Sequence, residues 1–149
     1  MATLKELLGG PEQRPALVDD ALRVLDAEVG SKSGLSGMAI KTAYKLVRGV
    51  SPGFLKQVVD HLLDDFLESL DPLYQEAVSG GTAPASHLRA NPGRVADALL
   101  SITDQRAARA KNQMIKKTYD KLRAGAKGHV EAAVPRLGEL FERHAPKPA

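Results

Sequence analysis

The chain has 149 residues, 21 Lys and Arg against 18 Asp and Glu, and a formal net charge of +3. That length suits one compact domain, and a hydrophobic fraction of 43% is enough to build a core, which excludes wholesale disorder. Zero cysteines exclude a disulfide scaffold, a Cys-ligated zinc site, an iron–sulfur cluster and thiol catalysis.

The punctuation is helical from the start. Thr3 and Glu6 have capping-box spacing ahead of Leu7 and Leu8, and Gly9-Gly10-Pro11 ends that short helix. Pro15 suits the first turn of a second helix, with an apolar stripe of Leu17, Ala21, Val24, Leu25 and Val29 and a stop at Gly30. The segment SKSGLSG reads as a loop. A third helix is predicted from about Gly37 to Arg48, with Ile40, Ala43, Tyr44 and Val47 on one face and Gly49 in a C-terminal position that favours positive φ.

Ser51-Pro52 reads as the cap and first turn of a fourth helix. Its apolar stripe includes Phe54, Leu55, Val58, Val59, Leu62, Leu63, Phe66, Leu67 and Leu70, and Asp71-Pro72 is expected to end it. A linker is expected at about 79–91. Asn91-Pro92 should cap and open the next helix. A long helix to about Ala124 is predicted to break at Gly125 and Gly128, and a last helix runs from His129 to His144 with Pro135 inside it. The tail APKPA is expected to fray. No alternating β-branched stretch reads as a strand. The expected fold is all-α: one domain over 1–149, with about six to eight helices.

A shift of 75 residues lays residues 40–70 on residues 115–145 without a gap. It keeps Ile40/Ile115, Lys41/Lys116, Tyr44/Tyr119, Arg48/Arg123, Gly53/Gly128, Val59/Val134, Leu62/Leu137 and Phe66/Phe141 in step. Upstream, VDDALRVL falls on VADALLSI with two residues fewer before the join. The pattern predicts two related three-helix units, about 18–70 and 95–145, packed around a pseudo-twofold axis because each buries too little surface alone. Tyr44 and Tyr119 become equivalent tyrosines, each needing a partner for its hydroxyl.

The segments GLSGMAIKTAYKLV, ADALLSITDQRAA and IKKTYDKLR resemble a family of small uncharacterised all-helical proteins from high-GC bacteria. The resemblance runs from about Val18 to His144. It implies a helical fold and brings no activity, cofactor or binding residue with it.

Charge is unevenly spread: residues 1–75 are net −3 and residues 76–149 net +6. Lys41, Lys45 and Arg48 in the first unit, and Lys116, Lys117, Lys121 and Arg123 in the second, make each tyrosine-bearing helix apolar on one side and basic on the other. A basic helix face suits an acidic protein or another anionic surface. Nucleic acid is the weaker reading, because an aromatic content of 4% with no tryptophan offers no base-stacking platform. A helix-turn-helix would have to present Asp60, Asp64, Asp65 and Glu68 to phosphate, which is the wrong sign.

Those acids, with His61, lie opposite the apolar stripe and are expected to face water rather than a metal. His61, His87, His129 and His144 lack metal-ligand spacing, and no nucleophile elbow or phosphate-binding glycine loop is present. No catalytic residue, metal or cofactor is therefore assigned. An enzyme would need a concave site joining a His to a carboxylate.

The leading expectation is a non-enzymatic interaction or adaptor protein using the basic faces. The alternative is a small-molecule or lipid-binding protein, with Met38, Leu46, Val50 and Met114 lining an apolar groove between the units; the same residues also suit a homodimer contact. No apolar run approaches the roughly 18 residues of a membrane span. The start MATLKELLGGPEQRP has no basic segment leading into an apolar one. A cytoplasmic protein without a transmembrane segment is expected.

Overall fold

The computed structural model describes residues 3–144, so the tail expected to fray lies outside them. Among the described residues there are seven α-helices and no strand: α1 (Leu4–Leu8), α2 (Arg14–Ser31), α3 (Gly34–Arg48), α4 (Phe54–Ser79), α5 (Pro84–Ala90), α6 (Pro92–Ala108) and α7 (Gln113–His144). No helix among these residues is long and apolar enough to cross a membrane.

The first helix forms as its cap predicts. Thr3 Oγ1 accepts from the Glu6 N–H at 3.2 Å, and the Leu4 N–H donates to Asp71 Oδ1 at 2.9 Å. That second bond ties the start of α1 to the middle of α4 and helps seat Leu4 and Leu8 in the core. The core continues through Leu17 and Val18 of α2, Leu63, Leu67, Leu70 and Leu73 of α4, Leu88 of α5, Val95 of α6, and Val134, Leu140 and Phe141 of α7. Each such apolar side chain contributes about 1.5–3 kcal/mol by leaving water.

Two helices run past their expected ends. α4 continues through Asp71-Pro72 to Ser79. Pro72 removes the N–H that would bond the Glu68 carbonyl, but both residues are exposed and water can answer the carbonyl. Continuing the helix buries Leu73 and Ala77. α7 likewise runs unbroken through Gly125 and Gly128. Each glycine costs about 1 kcal/mol in a helix, and the flanking Leu122, Ala126, Val130 and Val134 offset that by packing inward. The second expected unit, 95–145, therefore holds two helices rather than three.

Other boundaries shift as well. The loop expected at SKSGLSG shrinks to Lys32 and Ser33, and α3 starts at Gly34. The linker at 79–91 contains α5, whose Ala85 and Leu88 are buried. Gly49 takes φ −84°, and the left-handed residue in that turn is Gly53 at φ 75°. Gly53 rather than Ser51 is the cap of α4; the Ser51 carbonyl accepts the Phe54 N–H instead. Asn91 makes no side-chain cap, because its amide donates to the His87 carbonyl at 2.9 Å.

Ion pairs bind distant parts of the chain. Asp20 of α2 is buried and accepts from Arg143 Nε at 2.8 Å and Nη2 at 3.1 Å, with His144 Nε2 2.7 Å away. Hydrogen bonds from Arg143 outweigh the effect of burial and hold the Asp20 carboxyl below its ordinary range, with His144 adding to them. This closes the end of α7 onto α2. Asp60 and Asp64, expected to face water, stay partly exposed and also grip Arg14, with Asp60 Oδ1 3.2 Å from Nη1. The acidic side of α4 is thus partly the seat of α2.

Candidate functional site

The geometry of α3 follows from its sequence. Ile40, Ala43, Tyr44 and Val47 recur at helical spacing and turn inward toward α2, α4 and α7. Gly37 lies so close to Lys32 that a Cβ there would approach the Lys32 carbonyl carbon to 2.8 Å. The opposite face is also apolar. Leu35 is 89% exposed, Met38 65%, Leu46 46% and Val50, in the following turn, 39%. Lys41 and Lys45 are exposed beside this stripe.

Tyr44 and Tyr119 each find a carboxylate. Tyr44 donates to Asp26 Oδ1 of α2, and Arg48 lies 3.6 Å from the same oxygen with its guanidinium 5.4 Å from the Tyr44 ring centre. Burial, reinforced by Asp26, pushes the Tyr44 phenol up to about 12. Tyr119 donates to Asp104 Oδ1 of α6, and Arg123 adds bonds of 2.8 Å from Nε and 3.1 Å from Nη2. Hydrogen bonding from Arg123, then from Tyr119, holds the Asp104 carboxyl below its ordinary range. Burial and Asp104 raise the Tyr119 phenol.

These triads divide the predicted basic residues. Arg123 is hydrogen-bonded to Asp104, and Arg48 lies near Asp26 across an exposed 3.6 Å contact. Lys41, Lys45, Lys116, Lys117 and Lys121 have no ion-pair partner among the described residues. Every other described lysine outside residues 111–121 has one: Lys5 with Glu68, Lys32 with Glu28, Lys56 with Asp19 and Lys127 with Asp97. The free lysines sit in two places. The side-chain bonds from the first turn of α3 to α7, and from Lys32 just before it, meet at His129, about 12 Å along the helix from Lys121.

The residues expected at an apolar groove lie at the surface. Met38, Leu46, Val50 and Met114 are all exposed. They line neither of two shallow clefts. One, of about 330 Å³, includes Leu22, Arg23, Asp26, Tyr44, Arg48 and Phe54. The other, of about 700 Å³, joins Glu28, Lys32, His129, Arg136 and Glu139. It does place a His near carboxylates. Yet Glu28, buried, is held by Lys32 Nζ at 2.8 Å and Arg136 Nε at 2.8 Å, so both its oxygens are engaged by cations. Sequence reasoning did not single out Glu28, Asp26 or Asp104. The signal available was a carboxylate near the end of each helix that precedes a tyrosine-bearing one.

No curated protein matches the sequence, and no solved structure matches the fold. A family profile does match, over residues 4–145, and so takes in the first helix as well as the segments that carry the resemblance. The chain belongs to the family of unknown function DUF6918.

Proposed function

We propose that the protein is a non-enzymatic helical interaction or adaptor protein that binds an acidic partner through lysine-bearing helix faces. The observation that carries this reading is the distribution of free lysines. Nearly half of a typical protein surface is polar, and here four of the ten described lysines are answered by a carboxylate. The unanswered ones gather on α3 and at residues 111–121, beside Leu35, Met38, Leu46 and Met114. An unpaired ammonium next to exposed apolar surface offers a partner both charge and area. Arg48 and Arg123 serve these faces indirectly, by holding the tyrosine-bearing helices in place.

The test is capture from nuclease-treated native extract. It compares wild type with Lys41→Glu/Lys45→Glu and with Lys116→Glu/Lys117→Glu/Lys121→Glu, all checked for unchanged helicity. An acidic protein retained by wild type, weakened by added salt and lost from at least one variant is the expected result. Identical retention by all three forms would sink the reading.

A further inference from the structure

The outer face of α3 has a shape as well as a composition. In order along it stand Leu35, Met38, Ala39, Thr42, Leu46 and Val50, all exposed. The large side chains are at the two ends and the small ones in the middle. A helix of 15 residues is about 22 Å long. Its middle is therefore a waist of about one helix width between two apolar shoulders. Helices pack 8–10 Å apart where small residues let ridges enter grooves, so this waist suits one helix lying across α3.

We infer that this waist is the seat of a single partner helix with one apolar face and a row of carboxylates on the flank that overlies Lys41 and Lys45. The inference rests on the interaction reading above and narrows it to one face. Charge complementarity selects the occupant. Lys41 and Lys45 lie along one edge of the stripe, whereas the other edge, with Ala43 and Val47, turns into the protein. A partner helix answers the lysines only with acids on that one flank. A second copy of α3 answers them badly: an antiparallel pair sets lysines against lysines, and a parallel pair leaves both rows unanswered. The area points the same way. One helix crossing buries well under the roughly 800 Å² per partner of a stable interface, so the contact is weak and exchangeable. A bilayer surface fits less well, because an interfacial helix carries cations on both margins of its apolar face.

The probe is a fluorescently labelled helical peptide with Leu and Ala on one face and Glu along one flank, titrated with the full chain. Two controls accompany it: the same peptide with Lys in place of Glu, and phosphatidylglycerol vesicles. Thr42 is exposed, so Thr42→Trp fills the waist without touching the core. Wild type should bind the acidic peptide, and Thr42→Trp should weaken binding by roughly tenfold or more. Lys41→Glu/Lys45→Glu should lose the acidic peptide and gain the Lys peptide. If Thr42→Trp binds as wild type does while the lysine variant loses binding, the waist is wrong and the interaction reading stands. Binding to vesicles but not to peptide overturns the partner helix in favour of lipid. Absence of peptide binding to wild type overturns the inference outright.

Discussion

Residues 40–66 and 115–141 carry matching side chains in the same order, including Ile, Lys, Tyr, Arg, Gly, Val, Leu and Phe, yet they fold differently. The first segment is α3, a turn and the start of α4. The second is uninterrupted helix. The shared residues do not decide this. The difference lies at the turn, where Val50-Ser51-Pro52-Gly53 stands against Gly125-Ala126-Lys127-Gly128. Pro52 removes a donor and pushes Ser51 out of the helical region. Gly53 then takes φ 75°, whereas Gly128 stays helical. One proline, with a glycine free to follow it, separates a helical corner from a helix of 32 residues.

The tyrosine triads show the same contrast in finer detail. Asp104 accepts two bonds from Arg123 and one from Tyr119, with Thr103 Oγ1 2.7 Å from the hydroxyl. Asp26 accepts from Tyr44 but meets Arg48 only at 3.6 Å, and that guanidinium leans over the ring instead. The links between the paired helices differ too: two residues join α2 to α3, and four join α6 to α7. The longer link lets α7 settle on α6 with Asp104 opposite the Tyr119–Arg123 pair. The shorter one sets α3 against the end of α2 and leaves Asp26 reaching.

The largest expected effect comes from exporting the corner. Lys127→Pro places a proline at the position equivalent to Pro52, inside α7. It should cost about 3 kcal/mol, seen as a fall in Tm of roughly 10 °C and a loss of helicity. Pro52→Ala, in an exposed turn, should change Tm far less. Unchanged Tm and helicity in Lys127→Pro would show that something other than the proline makes the corner.

A smaller effect should separate the triads. Asp104→Ala should destabilise by about 1 kcal/mol, because the pair is partly exposed and solvent screens it, and Asp26→Ala by less. The Asp104 carboxyl is depressed below 3.8, so its contribution is full above about pH 4 and drains away as pH falls through the lowered value. Asp104→Asn should therefore flatten the acid limb of a stability–pH profile. An unchanged limb would remove Asp104 from the account.

The smallest effect is spectroscopic. Tyr44, raised from 10 to about 12, should form its phenolate only at the alkaline extreme. Because the folded value is the higher one, its contribution is full below about pH 10 and is lost as pH rises toward 12. Tyr44→Phe should shrink that late component in an alkaline absorbance titration and leave the part owed to Tyr119, whose phenol is also raised. A late component of unchanged size would remove Tyr44 from the account.

Much of the architecture was legible along the chain. The cap at Thr3, the proline in the first turn of α2, the inner stripe of α3 and the long apolar stripe of α4 are local signals: each depends on side chains within a turn or two. The two tyrosines in need of hydroxyl partners were legible for the same reason. What tertiary structure decided was whether a local stop signal is obeyed. Pro72 and the glycines at 125 and 128 are helix breakers in isolation. Burial of Leu73 and Ala77 beyond the first, and of Val134 beyond the others, outweighs them. α5 escaped notice because its seven residues contain one apolar turn, meaningful only when Gly138 of α7 admits Arg89, 3.0 Å from where a Cβ would stand.

The candidate surface divides along the same line. Periodicity alone places basic side chains on the tyrosine-bearing helices, because it assigns residues to faces. It could not determine which of those cations are free, because pairing depends on helices far apart in sequence. Only the tertiary structure brought Asp26 to Arg48 and Asp104 to Arg123, leaving the lysines unanswered. It also left Met38 and Leu46 exposed, because α3 has two apolar faces and the core has room for one.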